Sequence, residues 1–263
     1  KVNYYRFTGY LFPFREGGET FFPGTTFEHI RSIYNFDTKF RWLTFASIET
    51  LDIAILRTQL VEKFTLRYGP FCYVDKENFF NIWESQHDKI LRDINFNVSR
   101  SSEIFVEKYQ SKYSNENYLP FWMVAELSSF GLLSRIFKFA PNEVRRPIAD
   151  QFSILPNFLE SWLHMLTSIR NICAHHSRYW NRIIPVSPAV PPQKYLSTFY
   201  EPHLIPRRQV FIVLVIIKYL LDHIEPENTF IKQFQKLLSE HPEVPIEKMG
   251  IPENWEDYPI FGL

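Results

Sequence analysis

Three polar residues within six positions, Arg170, Asn171 and His175, could act together on a phosphate group. A guanidinium can hold phosphoryl oxygens with a two-pronged hydrogen bond, and an imidazole can take up or release a proton near neutral pH. No metal is needed when an arginine stabilises the charge that develops on the phosphate. The set therefore suits RNA cleavage, in which a 2′-hydroxyl attacks its own phosphodiester.

The surrounding pattern, residues 157–181, predicts one long amphipathic helix. At about 100° per residue, its apolar side chains form one broad arc, which we expect to face the core. Arg170 lies at the edge of this arc, about 140° from His175, so the two do not share one stripe of the helix. The opposite face carries Glu160, His164, Asn171, His175 and Arg178.

Residues 161–221 contain seven basic side chains and one acidic side chain, a net charge of +6 in a chain whose net charge is zero. Such segregation can create a local surface that binds anions. We expect contacts with RNA at His164, His176, Arg178 and Arg182. Two alternatives stay open: the two arginines could instead pair with carboxylates, and His176 could lie in the core or in an interface.

Other patterns exclude several classes of protein. The sequence contains neither GxxxxGK[ST] nor GxGxxG, the usual glycine-rich phosphate loops. Cys72 and Cys173 cannot build a disulfide framework, which favours a reducing, cytoplasmic location. Cys173, His175 and His176 lack a second pair of zinc ligands, so we predict no metal and no cofactor. The apolar run 210–221 is too short to span a membrane, so no membrane partner is expected.

The elements that must position these residues are helical. Helix patterns cover 37–68, 121–139, 157–181, 206–223 and 228–241, and only 5–14 shows an alternation that favours a strand. We predict an all-α fold in one domain, 1–263, with an aromatic N-terminal arm over 1–24. The arm tyrosines Tyr4, Tyr5 and Tyr10 could pack on the core or stack on bases. Because the chain begins at Lys1 without Met, we expect residues to precede it in the natural protein.

The run RNICAHHSRYWNR, Arg170–Arg182, resembles the signature of Abi-like proteins, the AbiD/AbiF abortive-infection family. Four other segments resemble the same family: Asn3–Phe14, Asp37–Leu60, Leu119–Ser134 and Met249–Tyr258. The resemblance therefore implies the HEPN superfamily, whose members are helical bundles and often dimers. It also implies a catalytic role for Arg170, Asn171 and His175, since an arginine and a histidine with four to six residues between them are the ribonuclease signature of that superfamily.

By this resemblance, the chain would be an endoribonuclease toxin of phage defence, and a small antitoxin RNA could restrain it. One motif per chain leaves a site incomplete, so we expect a homodimer that builds a composite site by two-fold symmetry. Two other functions stay open at this point. The same face could bind a small RNA without cutting it, or it could serve only as a protein–protein interface.

Overall fold

The computed structural model describes residues 4–18 and 20–262. Lys1, Val2, Asn3 and Glu19 of the predicted arm lie outside the described residues, as does Leu263. The regular secondary structure of the described residues is helical apart from one short hairpin, which confirms the predicted all-α fold. Of its helices, none is both long and apolar enough to cross a membrane.

The helices are α1 (Tyr4–Leu11), α2 (Phe27–Leu51), α3 (Val61–Tyr68), α4 (Glu84–Ser99), α5 (Ile104–Lys112), α6 (Phe121–Leu127), α7 (Phe130–Phe139), α8 (Asn142–Asp150), α9 (Pro156–Ala174), α10 (Val210–Ile224) and α11 (Phe230–Glu240). A π-helical segment, Asp52–Leu60, joins α2 to α3. The strands β1 (Arg15–Gly17) and β2 (Thr20–Phe21) pair antiparallel, with Arg15 opposite Phe21.

The N-terminal arm is helical where alternation favoured a strand. Residues 4–11 form α1, and Phe12–Phe14 continue it as one 3₁₀ turn. Its buried side chains, Tyr10 and Phe14, are four positions apart, which is the spacing of one helix face. Tyr10 therefore packs in the core, which is one of the two alternatives given for the arm tyrosines. Tyr4 and Tyr5 are exposed.

The chain divides into two compact units, residues 1–49 with 168–263 and residues 50–167. In the first unit, the ring of Phe40 stacks on Tyr179 at 4.9 Å between centroids and contacts Phe234 at 5.4 Å. Every side chain from Val210 to Ile217 is buried, so α10 is a core helix of this unit. The prediction of one domain over 1–263 stays a prediction.

In the second unit, Phe64 makes edge-on contacts with Phe79 and Phe121. The predicted helix 121–139 is interrupted: α6 ends at Leu127, and the hydroxyl of Ser129 accepts a hydrogen bond from the N–H of Leu132 at the start of α7. Arg57 stabilises the break, because its guanidinium donates to the carbonyl oxygens of Ala125 and Ser128.

Candidate active site at the end of α9

The helix that carries the motif ends at Ala174, seven residues before the predicted end at Asn181. His176 adopts a left-handed conformation with a φ of 53°. Its N–H bonds to the carbonyl of Cys173, and the N–H of Ser177 bonds to the carbonyl of Ile172, both at 3.0 Å. This pair of bonds is the Schellman ending of a helix, which usually places glycine where His176 stands. The helix wheel therefore does not apply beyond this turn.

The segment after the turn is held by a buried carboxylate of α2. Asp37 is fully buried and accepts the backbone N–H groups of Tyr179 at 3.1 Å and Trp180 at 2.7 Å. It also accepts hydrogen bonds from the Tyr10 hydroxyl and the Arg41 guanidinium. One carboxylate thus connects α1, α2 and the segment that follows α9.

Electrostatics within this cluster are strongly perturbed. Burial raises the pKa of the Asp37 carboxyl, while the Arg41 charge and the three other hydrogen bonds act in the opposite direction. Burial, followed by the Asp37 charge, raises the pKa of the Tyr10 hydroxyl far above its usual range. The tyrosine hydroxyl therefore keeps its proton and donates a hydrogen bond to the Asp37 carboxylate.

The structure brings the three predicted catalytic residues to the last turns of α9. Asn171 and His175 are exposed, and the backbone N–H of His175 bonds to the carbonyl of Asn171 at 3.0 Å. Arg170 is half-buried, with its guanidinium 5.5 Å from the ring centroid of Phe45 on α2. Within the described chain, Arg170 forms no ion pair with a carboxylate, so its charge remains available to an anion.

His176 is exposed, so the alternative that placed it in the core is wrong. The helix ends before it, and its ring is therefore not on the apolar arc. With Trp42, which is 72% exposed, it borders a cavity of about 250 Å³. The other lining residues are Arg41, Phe45, Cys173 and Ala174.

Arg178 and Arg182 lie beyond α9, so Arg178 does not share the helix face predicted for it. Each is half-buried and donates to a backbone carbonyl, Arg178 to Gly9 and Arg182 to Arg178 itself. Neither pairs with a carboxylate among residues 4–18 and 20–262, which contradicts the ion-pair alternative. Burial lowers the pKa of Arg178.

His164 is exposed on α9 as predicted, but it belongs to the second unit, whereas the other candidate residues belong to the first. There it lines a cleft of about 730 Å³ with the basic side chains Lys89, Arg135 and Lys138. The structure therefore does not place His164 in the same unit as Arg170 and His175.

The described residues include no group of three His, Cys, Asp or Glu side chains arranged to hold a metal ion. Cys173 is buried, and this burial raises the pKa of its thiol to about 12. It therefore behaves as a core residue beside the motif and not as a thiolate ligand.

Sequence reasoning missed the residues that support the site. The helix pattern predicts Asp37 at the start of a helix, yet it lies in the interior of α2. The available signal was the spacing Asp37 to Arg41, an acidic and a basic residue one turn apart on an otherwise apolar face. Nothing in the sequence pattern linked that pair to Tyr179 and Trp180.

The sequence model of the Abi-like protein family matches residues 1–181. The match ends at Asn181, so it contains the whole Tyr10–Asp37–Trp180 connection and leaves out the resembling segment Met249–Tyr258. Neither a curated protein nor a solved structure matches the chain. Because the matched part covers more than two thirds of the sequence, the chain belongs to the Abi-like protein family.

Proposed function

We propose that this protein is a metal-independent endoribonuclease whose site is built on Arg170, Asn171 and His175. Membership in the Abi-like family supports a role in abortive-infection defence. The observation that carries the nuclease proposal is the state of Arg170: its guanidinium is held over the ring of Phe45, and no carboxylate of the described residues pairs with it. An arginine positioned in this way keeps its hydrogen-bond donors for a phosphate.

Each residue has a role that follows from its chemistry and position. His175, exposed at the end of the helix, exchanges the proton of the 2′-hydroxyl or of the leaving oxygen. Arg170 stabilises the charge on the phosphorane-like transition state. Asn171 orients the phosphate or the imidazole. The products are a 2′,3′-cyclic phosphate and a 5′-hydroxyl.

The reaction requires a second imidazole or an equivalent group, since one proton must be removed and another supplied. A homodimer provides it when two α9 ends meet, because a two-fold axis brings a second Arg170 and His175 to the same place. We therefore propose that the active form is a dimer with one composite site. Arg178, Arg182 and His176 extend the basic surface of each protomer beyond the reacting groups.

The test is cleavage of total cellular RNA in EDTA by the native chain, His175→Ala and Arg170→Ala. His203→Ala is the matched control, since His203 is also exposed but is remote in sequence from the motif. We expect cleavage by the native and control proteins, and a loss of about 100-fold or more in the two motif variants. Equal rates in all four proteins would contradict the assignment of the site.

The dimer has its own test. A composite site predicts that His175→Ala chains mixed with native chains lower the activity more steeply than by simple dilution, because a mixed dimer holds only one of the two imidazoles that the reaction requires. A monomeric mass with full activity would contradict the composite site. Should the native protein bind RNA and fail to cut under every condition, the function is instead an RNA clamp, and its affinity should fall steeply with salt.

A further inference from the structure

A second surface of the first unit has the chemistry of a binding site and contains none of the proposed reacting groups, although it shares Arg178 with the basic surface described above. It is a cleft of about 550 Å³ beside α1. Among the residues that the structure describes, its lining contains two arginines, two large aromatic rings and no acidic residue. The residues that line it are Tyr5, Thr8, Gly9, Phe12, Arg15 and Arg178.

The charge of Arg178 is only partly satisfied in this cleft. Its half-buried guanidinium donates to the Gly9 carbonyl and forms no ion pair with a described carboxylate. Removal from water lowers the pKa of Arg178, which means that burial disfavours its charge. An anion entering the cleft would therefore add a direct ion pair, which no described carboxylate forms with Arg178.

Arg15 presents a second cation at the same cleft. It lies on β1, and its guanidinium sits 5.6 Å from the ring centroid of Phe21, its partner across the hairpin. A guanidinium stacked on a ring is oriented without losing its in-plane donors. Arg15 is exposed, so these donors face solvent and can reach a ligand.

The aromatic rings distinguish this cleft from a simple anion site. Tyr5 is 83% exposed and Phe12 is 73% exposed, although each is large and apolar in its ring. Exposed rings beside cationic groups are the arrangement on which nucleic-acid bases stack while the backbone phosphate is neutralised. A bare phosphate or sulfate would leave these rings unused.

We propose that the cleft binds a nucleoside phosphate, with Arg15 and Arg178 on the phosphate and Tyr5 or Phe12 stacked on the base. A free nucleotide and one nucleotide unit of an RNA strand share this chemistry. The site contains none of Arg170, Asn171 and His175, so it goes beyond the proposed reaction. If the ligand is one nucleotide of an RNA strand, the proposal rests on the proposed function, because the cleft would then position the strand that is cut. If the ligand is a free nucleotide, it does not.

The experiment measures binding by the full chain in a His175→Ala background, so that RNA is not consumed. One probe is adenosine 5′-monophosphate, and the other is a labelled single-stranded RNA of ten nucleotides. Arg15→Gln and Tyr5→Ala test the cleft. Arg31→Gln is the matched control, since Arg31 is also an exposed arginine of the first unit and does not line the cleft.

We expect Arg15→Gln to weaken binding about tenfold, as befits one lost charge-assisted hydrogen bond, and Arg31→Gln to change it less than twofold. An effect on both probes identifies a site that accepts a free nucleotide, and an effect on RNA alone identifies a strand-binding site. Equal affinities in Arg15→Gln, Tyr5→Ala and the control would overturn the proposal, as would the absence of binding to both probes.

Failure of this proposal can be told apart from failure of the nuclease proposal. With His175 present, Arg15→Gln should raise the KM for RNA cleavage and leave kcat unchanged, since Arg15 does not touch the reacting groups. His175→Ala should abolish cleavage and keep the affinity for both probes. A lost kcat in Arg15→Gln would contradict the separation of the two sites.

Discussion

The backbone N–H of Trp180 donates a hydrogen bond to Oδ1 of Asp37 over 2.7 Å, across 143 positions of sequence. This bond, with its neighbour from Tyr179, turns the chain back toward α2 directly after the proposed catalytic turn. The position of His175 therefore depends on a buried carboxylate that does not itself take part in the proposed chemistry.

Asp37→Ala should strongly destabilise the protein. The substitution leaves the nearly buried Arg41 without its carboxylate and two backbone N–H groups without an acceptor. Breaking a buried ion pair costs about 3–5 kcal/mol of unfolding free energy. Urea denaturation of the variant measures the loss. Asp150→Asn is the control, because Asp150 pairs with Arg146 on the surface. This substitution should lower the unfolding free energy by less than about 1 kcal/mol. Equal losses in both variants would contradict a special role for Asp37.

Arg57→Ala should destabilise the second unit. Arg57 joins the carboxylate of Asp52 to the carbonyl oxygens of Ala125 and Ser128, where α6 gives way to α7. Removing the guanidinium leaves these acceptors unsatisfied, so the unfolding free energy should fall by about 2–3 kcal/mol. Hydrogen exchange of residues 121–139 locates the effect. Arg67→Ala serves as the comparison, because Arg67 pairs with Glu143 in solvent. If exchange in 121–139 rises no more for Arg57→Ala than for Arg67→Ala, this account of the break is wrong.

The all-α fold could be predicted from the sequence because helical periodicity is a local signal. The end of α9 could not. Its stop signal is normally glycine, and here the left-handed position is occupied by His176. The decisive partner of the following segment, Asp37, is distant in sequence, and no local pattern reports such a contact. The motif residues can nevertheless be picked out from the sequence, since Arg170, Asn171 and His175 all precede that turn or lie in it.

The second unit shows the same division between local and distant causes. The pattern 121–139 has helical periodicity throughout, so it predicts one helix. The interruption has a local part, the Ser129 cap at the start of α7, and a distant part, Arg57, which reaches these carbonyl oxygens from a π-helical segment about 70 positions earlier. Tertiary hydrogen bonds of this kind override propensity.

The stability of the protein should fall steeply in alkali. Burial raises the pKa of both the Cys72 and Cys173 thiols to about 12, whereas an unfolded cysteine ionises near pH 8.5, at about its reference value. Between these values the unfolded chain releases protons that the folded chain keeps, so the unfolding free energy decreases as the pH rises. Each thiol contributes a slope of about 1.4 kcal/mol per pH unit.

Urea midpoints between pH 8 and 10.5 test this expectation. In the variant Cys72→Ala/Cys173→Ala, the slope of the unfolding free energy against pH should be smaller by up to about 2.8 kcal/mol per pH unit. Buried tyrosines such as Tyr10 account for the slope that remains. The thiols of the native protein should also react slowly with a disulfide reagent until urea is added. A double variant with an unchanged slope would show that the cysteines are not the source.

His176→Gly should stabilise the protein, although it removes a side chain. A left-handed backbone costs a non-glycine residue about 1 kcal/mol, and glycine adopts it without that penalty. For a chain of this size, the gain corresponds to a rise in Tm of about 2 °C. His164→Gly is the control of opposite sign, because His164 lies inside α9, where glycine should cost about 1 kcal/mol.

The same variant separates the two roles assigned to His176. If its ring contacts RNA beside Trp42, then His176→Gly should bind RNA more weakly while it melts at a higher temperature. Higher stability with unchanged affinity would restrict His176 to ending the helix. A lower Tm would contradict the strain argument itself, because it would mean that the contacts of the ring outweigh the conformational cost of the turn that places His175.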